Sequence, residues 1–176
     1  QAARGGATVA ASLLPLLGDA VAEVRANAAR VLGDLRFAEA RDPLLRVLGE
    51  DDSPRVRSLV AIALGRIGDL GGDDPFYFAA RQNGLGVPDI TLRHAILSGL
   101  EAAATEEGAL QRKGSDSREE RLLAVLALRR MESAKLAAFL VDADPQIRTE
   151  VIRAIYDTTA LDSEAGKTLA ALPLAE

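Results

Sequence analysis

Apolar positions return at helical spacing along most of the chain, and one stretch carries the pattern in full. From Val56 they recur at Val60, Leu64 and Ile67, a single stripe at i, i+4, i+8 and i+11. Ser53 stands where a hydroxyl can accept a backbone N–H at a helix start. Pro54 follows at the first helical position, where its missing N–H costs nothing, and Gly68 ends the run. The pattern predicts a helix from Pro54 to Ile67. Elsewhere it predicts an outer helix over 7–18 bent at Pro15, an inner helix from Ala22 to Leu35, and a second outer helix from Asp42-Pro43 with Leu44, Leu45 and Leu48 buried. A short helix at Asp74-Pro75 lies between glycine-rich flanks, and an inner helix spans Ile90 to Ala104. Residues 105–115 read as a poor outer helix. A helix capped by Asp116 or Ser117 runs to Met131, Ser133 caps a fifth outer helix, and Asp144-Pro145 opens an inner helix that ends at Tyr156. Residues 163–172 read as one further outer helix without a mate.

These elements repeat. An Arg beside the first stripe residue occurs at Arg25, Arg57, Arg93, Arg121 and Arg148, at spacings of 32, 36, 28 and 27. Periods of this length signal an array of helix pairs. Asp19, Asp51 and Asp142 each stand six residues before their Arg, whereas Asp89 and Asp116 stand four and five before theirs, which makes repeats three and four degenerate. The expected organisation is one domain over 1–176, with repeats at about 7–36, 38–68, 73–104, 105–131 and 133–158. Because the first residue is Gln, the chain is expected to be a piece of a larger protein.

The segments Asp19-Ala20-Val21-Ala22-Glu23-Val24-Arg25 through Leu32-Gly33, and Asp51 through Gly65, resemble short HEAT repeats of the phycobilisome-lyase type, with their Asp, turn, Val-Arg, small pair and Leu-Gly. The resemblance implies an all-α fold, a right-handed α-α superhelix of HEAT/armadillo type with about five helix pairs sharing one core. It implies a non-catalytic protein-interaction or spacer module; a bilin lyase-like enzyme is the alternative, although no catalytic residue can be named for it. A second resemblance rests on Asp73 to Phe78, Asp89 to Leu97, and Asp142 to Asp157. These are similar to the HEAT segment of large bacterial exported proteins, where it lies between a sugar-dehydrogenase-like β-propeller and a c-type haem domain. That would make the chain a spacer in an electron-transfer protein, exported or periplasmic; otherwise a cytoplasmic location follows.

Composition narrows the chemistry. A chain that is 48% hydrophobic but 3% aromatic, with no Trp, suits a core of Ala, Leu, Val and Ile between close-packed helices. No apolar run is long enough to span a membrane. The absence of Cys removes disulfides, thiolate metal sites and haem attachment, and a single His cannot form an imidazole metal site by itself. No cofactor is expected. A net charge of −5 argues against nucleic acid, which needs a basic face. The expected partner is a protein or peptide segment, or a neighbouring domain of the same chain.

Two sets of residues stand out. Asp19, Arg25, Asp51, Arg57, Arg93, Arg121, Asp142 and Arg148 are expected to form a structural ladder, each Asp accepting N–H groups at its inner helix and each Arg reaching the Asp of the next repeat. With Val24, Val56, Leu92, Glu120 and Ile147 as position zero, residues at +2, +6 and +10 point away from the stripe. They predict a concave face that holds Arg30, Ile62, Arg66, His94, Leu122, Leu126, Arg130 and Arg153, with Asp34 and Asp157 among them. No aromatic residue lies on it, which disfavours stacked bases. Of the adjacent aromatics Phe76, Tyr77 and Phe78, two are expected to fill the core and the third to remain outside.

Overall fold

The computed structural model describes residues 2–68, 73–84, 89–157, 167 and 171. It divides the chain into two compact units, Gln1–Ala104 and Thr105–Glu176, with the boundary at the expected junction of repeats three and four. Among the described residues every regular element is helical.

In the first unit, α1 (Ala2–Leu13) passes into a 3₁₀ turn over Leu14–Gly18, followed by α2 (Ala22–Asp34), α3 (Arg41–Glu50), α4 (Pro54–Ile67), α5 (Asp74–Asn83) and α6 (Ile90–Leu100). The inner helices α2, α4 and α6 lie side by side in that order, while α3 packs on α4 and on α5, and α5 on α6. Ala29, Leu32, Val56, Val60, Leu64, Leu92, Ile96 and Leu100 are buried between them with Phe76 and Tyr77; Phe78 stays half exposed. The inner helices come close because glycine stands at each crossing. A methyl group on Gly33 would lie 2.6 Å from Ala63 Cα, and one on Gly65 would lie 2.8 Å from Gly99 Cα. Such contacts leave no room for a Cβ.

In the second unit, α7 (Glu106–Gln111) is capped by Thr105 and leads through a 3₁₀ turn to α8 (Arg118–Arg130); a 3₁₀ helix over Ala134–Phe139 then precedes α9 (Pro145–Asp157). α8 packs on α7, on α9 and on the 3₁₀ helix, burying Leu123, Val125 and Leu128 against Leu136, Phe139, Ile147 and Val151. At position zero of this repeat Glu120 is buried, and its carboxylate accepts the Ser115 hydroxyl at 2.6 Å.

Three of the inner helices, α2, α4 and α8, end on a positive φ. Eleven residues after the repeat's Arg the backbone turns left-handed, at Arg36 (φ 49), Gly68 (φ 70) and Glu132 (φ 53). In α2 and α8 the turn is a Schellman motif: the Phe37 and Ser133 N–H groups reach back to Leu32 and Leu128 O at 3.1 and 3.0 Å. Arg36 and Glu132 carry the Cβ penalty of a positive φ, whereas Gly68, at φ 70 and ψ −172, lies in a region open to glycine.

Several boundaries differ from expectation. The first outer helix begins earlier, and its end tightens to 3₁₀ because Pro15 cannot donate to the turn before it. The fifth outer helix is also 3₁₀, and α6 ends at Leu100 rather than Ala104. The expected helix over 163–172 falls outside the described residues except Lys167 and Ala171.

Candidate functional site

Three of the five arginines beside the stripe clamp the turn between the two helices of their own repeat. Arg25 Nη1 donates to Asp19 O at 2.8 Å, Arg121 Nη1 to Ser115 O at 2.8 Å and Arg148 Nη1 to Asp142 O at 2.6 Å, each to the carbonyl six residues back. Two of the arginines also reach the following repeat. Arg25 forks onto Asp51 at 2.7 and 3.0 Å, and Arg121 onto Asp142 at 2.8 and 3.4 Å. Arg57 differs, because its bonds go to two carbonyls, Leu48 O at 3.0 Å and Ala79 O at 3.2 Å, which ties α3 to α5. Arg93 is partly buried on α6.

The acids sit in the turns ahead of the helix starts. Asp19, Asp51 and Asp142 accept the N–H two residues on, from Val21, Ser53 and Asp144 at 2.7, 2.8 and 2.8 Å. The helices themselves are capped by Ser53, Asp89, Ser117 and Asp144. In repeat four Asp116 is exposed, and Ser115 supplies the carbonyl that Arg121 uses. Burial pushes the Asp51 carboxyl up, but hydrogen bonds from Arg25 and the Ser53 N–H outweigh it and hold the group below its ordinary value. Burial alone lowers the Arg57 guanidinium, against the charge of Asp51.

The residues expected on the concave face differ in exposure within each unit. At +10 Asp34, Arg66, Arg130 and Asp157 are all exposed; at +6 Arg30 and Arg153 are exposed, and Ile62 and Leu126 are half-buried. His94 is exposed at the start of α6. Leu122 does not belong to the face: it is buried, as are Ala26 and Ser58 at the same +2 position. That position lies about 200° from the stripe, and it is buried in α2, α4 and α8 but exposed in α6 and α9, at His94 and Thr149.

In the first unit Asp34 holds two guanidinium groups at once. Arg66 of α4 donates to its Oδ1, and Arg30 lies 3.6 Å from its Oδ2 one helical turn earlier on α2. In the second unit Arg129 lies 2.5 Å from Asp157 and 3.8 Å from Glu150, and Arg153 takes Glu150 at 2.9 Å. The first cluster therefore carries an excess positive charge, and the second is balanced. Arg129 itself is not among the expected residues. It follows Leu128 where Gly33 and Gly65 follow Leu32 and Leu64, and that alignment is the signal that could have found it.

A separate groove of about 590 Å³ runs between the Leu14–Gly18 turn and α3, lined by Leu14, Pro15, Pro43, Arg46, Val47 and Glu50. Among the described residues no group of three or more His, Asp or Glu side chains is placed to hold a metal ion, and no helix is long and apolar enough to cross a membrane.

Residues 10–75 match the family model of HEAT repeats, and the helical pairs on either side of that limit follow the same plan. The fold is an all-α HEAT-type repeat fold. HEAT repeats generally serve as protein-interaction or scaffold modules and are typically non-catalytic. The match ends at residue 75, so the second resemblance, on Asp73 to Phe78, Asp89 to Leu97 and Asp142 to Asp157, lies almost wholly outside it. No curated protein matches the chain.

Proposed function

We propose that this HEAT-repeat chain is a non-catalytic binding module whose inner helices hold an extended, acidic segment of a protein partner. The observation that carries the reading is the exposed row on α2 and α4. Arg30 and Arg66 share one carboxylate there, next to the half-buried Ile62 one turn before Arg66. A guanidinium offers five donors in a fixed fork, so one shared acid leaves most of them to water. An aliphatic residue beside them gives a partner a place to bury apolar surface next to its acid. His94 and, in the second unit, Leu126, Arg130 and Arg153 are further candidates for contact.

Selection of a displayed random peptide library on the immobilised chain tests this. Wild type is expected to enrich sequences with Asp or Glu beside an aliphatic residue, and Arg66→Glu is expected to lose that enrichment. The same enriched sequences from both proteins would rule the reading out.

A further inference from the structure

The Arg30–Asp34–Arg66 cluster has a feature that simple surface pairing does not explain. Asp34 is the last residue of α2, where the helix carbonyls already concentrate negative charge and an added anion is unfavourable. Its carboxylate faces Arg30 with one oxygen and Arg66 with the other. All three side chains are about half exposed, at 51% for Arg30, 44% for Asp34 and 48% for Arg66, so the group is open to a competitor from solution. The Arg66 contact also joins two different repeats. Asp34 thus occupies the place on the guanidinium pair that an incoming carboxylate would take.

We infer that Asp34 is an internal counter-ion that a partner's carboxylate displaces, so that it sets the affinity and selectivity of this face. The inference rests on the acidic-segment reading and deepens it. An incoming Asp or Glu side chain trades places with Asp34 on Arg30 and Arg66, and Ile62 receives the aliphatic residue beside it. A weakly acidic segment that cannot outcompete Asp34 is rejected. In the second unit Arg129 and Arg153 instead meet Asp157 and Glu150 one for one.

The test uses the full chain and a fluorescent synthetic peptide of alternating leucine and glutamate, followed by anisotropy at low and physiological salt. Asp34→Asn keeps the size of the side chain but removes the competing charge. It is expected to tighten binding by about three- to fivefold, the scale of one exposed ion pair, with a steeper loss on adding salt. Arg66→Glu is expected to weaken binding at least about tenfold. All three positions are exposed, so circular dichroism is expected to be unchanged in both variants. If Arg66→Glu weakens binding while Asp34→Asn leaves it unchanged or weaker, the counter-ion role is overturned and the acidic-segment reading stands. If wild type and Arg66→Glu bind the peptide equally, or neither binds it, the acidic-segment reading falls and the counter-ion role falls with it.

Discussion

In α2 and α4 the position after the last core leucine is glycine, and in α8 it is arginine. Leu32-Gly33 and Leu64-Gly65 let backbone meet backbone, with Gly65 against Gly99; Leu128-Arg129 instead sends a long side chain to Asp157 and Glu150 on α9. The same slot in the same repeat grammar therefore joins neighbouring helices in two ways. One relies on close packing, which tolerates no added atom. The other relies on exposed charge, which salt and water weaken. The buried arginine clamps, Arg25 to Asp51 and Arg121 to Asp142, are common to both units.

The sharpest way to break the comparison is to place a side chain at the glycine slot. Gly65→Val puts a Cβ within 2.9 Å of Gly99 O and Cα, backbone atoms that cannot move unless α4 and α6 separate. A cost of about 3 kcal/mol is expected in urea unfolding. Even Gly65→Ala should destabilise, although helix propensity alone favours Ala by about 1 kcal/mol. A stabilised Gly65→Ala protein would show that the close approach is unimportant.

A smaller effect separates buried from exposed pairing in the second unit. The Asp142 side chain is 3% exposed and holds Arg121 and its own turn, whereas Arg129 is 37% exposed. Asp142→Ala should cost about 2–3 kcal/mol, and Arg129→Ala no more than about 0.5 kcal/mol. Equal losses in thermal melts would mean that Arg129 replaces the glycine contact in strength as well as in position.

The smallest effect concerns what the units share. Arg36 and Glu132 take a positive φ at the repeat position where the α4 repeat has Gly68. Arg36→Gly and Glu132→Gly should each stabilise by about 0.5–1 kcal/mol, because the Cβ strain disappears. Thermal melts that show a gain in one unit and a loss in the other would mean that the two caps are not equivalent.

Much of this was visible along the chain because the signals are local. Ser53, Pro54 and Gly68 mark a helix through bonds within four residues, and the period of the arginines places five pairs. The Leu-Gly signature was visible too, but its purpose was not, since the approach of Gly65 to Gly99 depends on how elements over thirty residues apart settle together. Leu122 is buried for a related reason: helical geometry tells which residues leave the stripe, not which of them a neighbour will cover. The 3₁₀ form of 134–139 turns on a one-residue change in hydrogen-bond partner, which composition does not encode. Within the candidate site, Arg30 and Arg66 could be named from register. Their shared hold on Asp34 depends on how α2 and α4 pack together.

Asn83 bears on how this scaffold can be altered. Its side-chain amide donates to the Asp89 carbonyl and accepts the Asp89 N–H, both at 3.0 Å, so the end of α5 is riveted to the residue that caps α6. That pair of bonds fixes how the end of α5 meets the start of α6. An engineer could splice a tag or a guest domain there, and evolution could do the same, without asking the flanking repeats to find each other again.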